Sequence, residues 1–330
     1  MLYGLLTYTE EHQQKINLGD YVQSLAARQF LPRVDMFLNR EKLAYYRGPK
    51  VKLVMNGWFT HTKSNDWIPS EDIIPLFVAF HINSSAVPYV LSEQGIAYLK
   101  AHAPIGCRDY NTVSLLQDRG IEAYYTGCMT LTLSSYQAPP EERTDEILFV
   151  EPLYNFLSWH TLIENRANLY YIIKYGELGN INQRKRFLRR IIDKEIRENA
   201  VSLHQMIATH KYTEEEKFQM AETLLRRYAR ARAVITSRIH CALPCLGMET
   251  PMVFLDGFTQ QTDTCRFAGI TDMFYKVSIK PDTEEYQANF PLEHEQITRT
   301  TLPEKNLGLH YELAASLRKT VSEFINEEIS

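Results

Sequence analysis

Apolar and polar positions along this 330-residue chain alternate between two periods, short strand-like runs and longer stretches with helical spacing. Leu2–Tyr8 (LYGLLTY), Val51–Met55 (VKLVM), Pro75–His81 (PLFVAFH), Pro104–Cys107 and Ile121–Tyr125 predict strands. Between them, Leu18–Phe30 carries Leu18, Val22, Leu25 and Ala26 on one helical face, and Ser92–His102 reads as a second helix. Asp109 is placed to cap a third helix containing Val113, Leu115 and Leu116, with Gly120 as its stop. Strands alternating with helices imply a parallel sheet covered on both faces.

The stretch from Ser135 to Asp145, with adjacent prolines and a run of charges, is the clearest break. It divides the chain into residues 1–136, a linker at 137–146, and residues 147–330. The pattern restarts with a strand at Ile147–Val150, a basic helix over Asn182–Glu198 and a helix over Thr213–Arg230. Strands at Ala233–Thr236 and Pro251–Leu255 follow, then a long amphipathic helix over Pro303–Ile329 with Leu307, Tyr311, Ala314, Leu317, Val321 and Phe324 as its stripe. Two α/β halves face a cleft, and ligands of open α/β sheets bind at strand carboxyl ends. The strand-to-helix turns are therefore where chemistry is expected.

Composition narrows the classes. Hydrophobic residues are 45%, charged residues 23%, and Gly and Pro number 14 each, which excludes disordered and low-complexity chains. A net charge of -4 argues against nucleic-acid coating. Five scattered cysteines give neither a disulfide scaffold nor a zinc pattern, and fit a reducing cytosol. Cys241 and Cys245 read as small buried apolar residues. Met1–Lys15 lacks the features of a signal peptide, and Ile73–Ile82 is too short to span a bilayer, so a cytoplasmic protein without stable membrane insertion is expected. With no H-E-x-x-H and no ligand spacing between His204 and His210, no metal is predicted.

The strongest turn is Thr236-Ser-Arg-Ile-His240. Pro244 suits a first turn, so the helix is expected to start only after His240. That leaves Arg238 and His240 extended and pointing the same way beside a positive helix end. A bidentate guanidinium and an imidazole suit anion binding and proton transfer. A structural turn with a solvated arginine is the plainer alternative. In Gly106-Cys-Arg-Asp109, Arg108 is either an anion clamp or the partner of a nearby carboxylate. Near the start, Asn17-Leu-Gly-Asp20 offers a turn glycine, Gly19, and an acid that caps the helix or accepts from a sugar hydroxyl. Asn56-Gly57-Trp58-Phe59 reads either as a tight turn or as a cleft wall on which an indole stacks against a sugar. The basic stretch Arg184–Arg197 is a solvated face or a landing site for an anionic lipid-linked acceptor.

Asn17-Leu-Gly-Asp20, Gly106-Cys-Arg-Asp109 with Thr112, Gly127-Cys-Met-Thr-Leu-Thr132, Thr236-Ser-Arg-Ile-His240 with Gly247 and Pro251, and Arg266-Phe267, in this order, resemble the polysaccharide pyruvyl transferase family. The resemblance implies a GT-B-like pair of Rossmann-like domains, phosphoenolpyruvate as donor substrate, no separate cofactor, and a hydroxyl pair of a saccharide as acceptor in surface-polysaccharide biosynthesis. It implies His240 as the catalytic acid/base and Arg238 as the residue holding the donor's phosphate or carboxylate. Ile239 within the same turn, Arg108, Asn17, Gly19, Asp20, Asn56, Gly57 and Arg266 are the further substrate-binding candidates. A glycosyltransferase of the same architecture using a nucleotide sugar, and a non-catalytic saccharide-binding member of an assembly complex, stay open. So does a homo-oligomer.

Overall fold

The computed structural model describes residues 1–10, 12–61, 63–156, 182–257 and 263–327. Part of the basic stretch's N-terminal flank and the end of the tail, 328–330, lie outside the described residues. The first half contributes β1 (Leu2–Thr7), β2 (Lys15–Asn17), α1 (Leu18–Arg28), β3 (Met36–Asn39), β4 (Val51–Trp58), β5 (Ile73–His81), α2 (Val87–Val90), α3 (Glu93–Ala101), β6 (Ile105–Cys107), α4 (Tyr110–Gln117) and β7 (Ala123–Tyr125). The second contributes β8 (Ile147–Val150), α5 (Gln183–Ile191), α6 (Lys194–Asn199), β9 (Val201–Leu203), β10 (Met206–Ala208), α7 (Glu214–Arg230), β11 (Ala233–Thr236), α8 (Ile239–Gly247), β12 (Met252–Asp256), β13 (Tyr275–Lys280), β14 (Glu285–Ala288) and α9 (Tyr311–Asn326).

Two six-stranded sheets result, ordered β3-β1-β4-β5-β6-β7 and β14-β13-β12-β11-β8-β9. The first pairs in parallel throughout, and in the second only β14 runs antiparallel. In each, strand order reverses beside the first strand, between β1 and β4 and between β8 and β11. This is a Rossmann-like α/β architecture, and each reversal opens a crevice at the carboxyl ends.

Burial follows the pleat. In β11, Ala233 and Ile235 face one cluster with Ile191, Ile192 and Ile196, while Val234 faces the other with Leu225 and Tyr228. β12 alternates in the same way, Val253 and Leu255 against Met252 and Phe254. The larger cluster runs without interruption from the first sheet through α1, α7 and α8. A two-stranded antiparallel ribbon, β2 with β10, also joins the halves.

Several elements differ from the sequence reading. The basic helix is two, because Asp193 leaves the helix and caps α6 through its side chain. The tail helix begins at Tyr311, so Leu307 lies outside it. Its last carbonyls, those of Phe324, Ile325 and Glu327, accept from the Lys52 ammonium on β4, which is 1% exposed. A cation at a helix C-terminus satisfies carbonyls that have no helical partner. Met129–Tyr136 is 3₁₀ helix packed against α8 and α9. Among the described residues, no helix is long and apolar enough to cross a membrane.

Lys52→Met is expected to leave those carbonyls buried without a donor and to destabilise the chain by about 1–3 kcal/mol. Urea unfolding of the variant measures it, and limited proteolysis should release α9 first.

Candidate functional site

The carboxyl ends of β4, β5, β6 and β11 bring together one buried cluster, centred on Arg108 and His240. Arg108 follows β6, its backbone N–H held by the Phe80 carbonyl at 2.8 Å, and its side chain is sealed from solvent at 1% exposure. Its Nη1 lies 3.2 Å from Nε2 of His240. A guanidinium can only donate, so Nε2 is the acceptor and the imidazole proton sits on Nδ1. Nδ1 faces Asp20 Oδ1 at 3.7 Å, an ion-pair separation rather than a hydrogen bond.

Arg108 has no carboxylate partner among the described residues. Its neighbour Asp109 is committed elsewhere: it caps α4 through the Thr112 N–H at 2.8 Å and binds His81 Nδ1 at 2.6 Å. The Nε of Arg108 has no hydrogen-bond partner, and neither does the buried Nε of Arg266, in a 3₁₀ turn at Cys265–Phe267. Burial, and then the charges of Arg108, Arg266, His81 and Arg238, push His240 well below the usual imidazole range. His81 falls to about 4, first through burial and then through Arg108, with Asp109 opposing. Burial also lowers Arg108. The site is thus cationic and its imidazole neutral. It lacks an anion.

The turn carrying His240 departs from the expectation. The helix starts at Ile239 with Arg238 as N-cap, so His240 lies inside its first turn, at φ -80° and ψ 20°, while Pro244 is in the interior. Arg238 and His240 consequently part. Arg238 binds Glu151 Oε2 at 2.7 Å and stacks at 3.6 Å on the Tyr154 ring, whereas His240 turns to Arg108 and Asp20. The arginine bonded to the imidazole is Arg108, and Arg238 acts on it through charge alone. Ile239 is buried in the apolar core rather than lining an open turn.

The first turn of α1 meets this point from the other half. Asn17 caps the helix, accepting from the Gly19 N–H at 3.0 Å. A Cβ on Gly19 would lie 2.7 Å from the His240 Cβ, so glycine permits the approach that brings Asp20 alongside the imidazole. Gln205 holds the far side, donating to the His240 carbonyl at 3.0 Å while its own carbonyl accepts from Leu18 at 2.8 Å. Asn56 donates to the Gln23 carbonyl at 3.0 Å, and Gly57 marks a bulge in β4 at φ +101°. These two position α1 against β4.

Sequence reasoning missed four participants. His81 ends a strand that was recognised, but nothing marked its partner. Arg40, Glu10 and Glu151 lie in segments without a motif. Arg40 stands 3.8 Å from Asp20 Oδ2 and 3.7 Å from Glu10 Oε1. Asp256, at the end of β12, is raised by burial to about 6, against Lys276. Cys107, Cys128, Cys241 and Cys245 are free and buried. Among the described residues, no group of His, Cys, Asp and Glu could hold a metal ion.

Among solved structures, the chain is similar to a functionally uncharacterised protein from Klebsiella pneumoniae subsp. pneumoniae NTUH-K2044, at 10% identity, 81% coverage of this chain, 87% of that one and a TM-score of 0.42. No curated protein gives a significant match. A family model described as polysaccharide pyruvyl transferase matches residues 17–257, a span that includes Asn17, Gly19, Asp20, Arg108, Arg238 and His240 but not Arg266. Most of the sequence and all but one element of the cationic cluster lie within that match, and the chain belongs to the polysaccharide pyruvyl transferase family.

Proposed function

We propose that this chain moves a pyruvyl group from phosphoenolpyruvate onto two hydroxyls of a saccharide, forming a cyclic ketal and releasing phosphate, in surface-polysaccharide biosynthesis. The observation that carries the reading is the buried Arg108 guanidinium bonded to a neutral histidine instead of a carboxylate. A buried cation with no carboxylate hydrogen-bonded to it is costly, and an anionic substrate would offset that cost. Phosphoenolpyruvate brings a phosphate and a carboxylate, and Arg108 and Arg266 are the groups to receive them. In this reading the two sheets form a GT-B-like pair, the donor lies between their carboxyl ends, and the reaction is cytoplasmic.

The histidine's ionisation then depends on the donor. The same arginines that keep His240 neutral would be countered by the donor's negative charge, so its affinity for a proton rises on binding. The imidazolium would deliver that proton to the methylene carbon of phosphoenolpyruvate, leaving an oxocarbenium-like centre for the first hydroxyl to attack. The second hydroxyl closes the ketal as the carbon–oxygen bond to phosphate breaks. Of the two hydroxyl protons, one ends on the new methyl group and one on phosphate. Asp20 would steady the Nδ1–H of His240, and the arginines would take the leaving phosphate.

His240→Gln is expected to lower phosphate release from phosphoenolpyruvate with acceptor by roughly 10²–10⁴-fold. Arg108→Met is expected to abolish thermal stabilisation by phosphoenolpyruvate, which should reach about 2.7 kcal/mol in the wild type with ligand at 100 times its dissociation constant. Unchanged turnover in the first variant would remove His240 from the chemistry. Stabilisation by UDP or GDP, with none by phosphoenolpyruvate, would favour a nucleotide-sugar donor.

Stability should depend on pH through the same groups. Unfolded histidine takes a proton near pH 6.5, whereas folded His81 does so only at about 4 and His240 well below the usual range. Below 6.5 the unfolded chain therefore binds more protons, so the stability from these two groups is complete above 6.5 and declines toward about 4. Asp256, raised to about 6, contributes the opposite slope. Urea unfolding between pH 7.5 and 4.5 is expected to show a smaller loss in His240→Gln than in wild type, by up to ~1.4 kcal/mol per pH unit.

A further inference from the structure

Arg40 follows β3 and is 2% exposed. Its guanidinium lies over the Tyr8 and Trp58 rings at 5.0 and 4.8 Å, with Glu41 Oε1 at 3.2 Å, Glu10 Oε1 at 3.7 Å and Asp20 Oδ2 at 3.8 Å. Arg40 is shared among three carboxylates, of which Glu10 is also bound by His61 Nδ1 at 2.7 Å, and among the described residues its Nε and Nη1 have no well-aligned hydrogen-bond partner, nor has Glu10 Oε1. Through Asp20 this group reaches His240 from the side opposite Arg108. His240 therefore lies on a border, with arginines on one side and carboxylates on the other.

The acidic side opens outward. Glu10 and Glu41 line a cavity of about 580 Å³ whose wall also holds Asn39, Tyr45 and Asp66, with Lys42 as its lysine. That volume is in the range of small-molecule sites. Tyr45 is 65% exposed, a ring left open on the wall, and its hydroxyl bonds Asp66. Carboxylates and an amide accept from or donate to hydroxyls, and an open aromatic ring packs on the apolar face of a pyranose. The lining sets three carboxylates, Glu10, Glu41 and Asp66, against Lys42 and His12, so an anion meets more negative than positive groups here, whereas the Arg108 side draws it in.

We propose that this cavity is the acceptor subsite and that it takes an uncharged saccharide ring in preference to one bearing a carboxylate. The proposal rests on the pyruvyl-transfer reading for the word acceptor, while the ring-binding site itself does not. Substrates are sorted by charge: the anionic donor goes to the arginines, and the neutral polyol goes to the carboxylates.

The test is ligand-observed NMR on the full chain, without phosphoenolpyruvate. The probes are the methyl glycosides of glucose, galactose, mannose and N-acetylglucosamine, with the methyl glycosides of glucuronic and galacturonic acid alongside. At least one neutral glycoside is expected to bind, its uronic counterpart about tenfold or more weakly. Tyr45→Ala and Asp66→Asn, both at the cavity rim, are expected to weaken the neutral glycoside about tenfold. Equal binding of neutral and uronic rings, binding untouched by both variants, or no binding of any neutral glycoside would each overturn the proposal. A parallel thermal shift with phosphoenolpyruvate separates the two readings. Glycoside binding at Tyr45 and Asp66 without a phosphoenolpyruvate shift leaves the subsite and removes pyruvyl transfer. A shift with glycosides indifferent to both variants leaves pyruvyl transfer and removes the subsite.

Discussion

The candidate site is organised around a guanidinium taken out of water with no carboxylate hydrogen-bonded to it among the described residues. Arg108 is fully buried, and the only acid adjacent in sequence, Asp109, is already saturated by His81 and the first turn of α4. Burying an unpaired charge costs several kcal/mol, so the surrounding fold must supply that energy. It does so through a continuous apolar cluster spanning the first sheet, α1, α7 and α8. His81 is the other half of the arrangement. It holds Asp109 Oδ2 at 2.6 Å, so that carboxylate acts on Arg108 through charge alone, and its own neutrality keeps it from adding to the arginines' charge.

Precision at the junction comes from backbone rather than side chains. β2 pairs with β10, Gln205 joins the Leu18 N–H to the His240 carbonyl, and Gly19 lets α1 and α8 approach to a distance a Cβ would forbid. The Asp20–His240 separation is therefore fixed by two short strands and a glycine. Thr9 and Tyr21 add a further tie to Glu214 on α7. Motion of one half against the other would have to break these bonds, so the geometry around His240 is set by the fold itself.

Much of this was legible in the sequence. The strong periodicities of Leu2–Thr7, Leu18–Arg28, Ile147–Val150, Glu214–Arg230 and Ala233–Thr236 gave their elements, because each buries one regular face. The cap Asp109 fixed the start of α4. β2, β9 and β10 have three residues each and no longer apolar run around them, unlike the equally short β6 and β7, which end predicted runs, and β14 is an exposed antiparallel edge. Arg238 misled for a definite reason: two-residue spacing implies a shared direction only in extended chain, and Ile239 already begins the helix. Arg108 was ambiguous because its meaning depends on where Asp109 goes, which only His81, 28 residues earlier, decides. Arg40 was invisible because its three acids come from three separate segments.

Unsatisfied buried polar atoms add a last argument about where ligands belong. Folded proteins pair nearly all such atoms, so exceptions that cluster need an explanation. Among the described residues Glu10 Oε1, Arg40 Nε and Nη1, Asn56 Oδ1, Thr60 Oγ1, Arg108 Nε and Arg266 Nε are without hydrogen-bond partners, as are Gln13 Oε1, Trp67 Nε1, Ser70 Oγ, Gln205 Oε1, Thr209 Oγ1, Thr250 Oγ1 and His310 Nδ1; it is the first group that gathers near His240. Except for Arg266, the residues of that first group stand at or just after the carboxyl ends of β1, β3, β4 and β6, and Arg266 faces them from the second half. In the proposed reaction, the unpartnered arginine and carboxylate atoms near His240 are the ones an anionic donor and a polyol acceptor would complete.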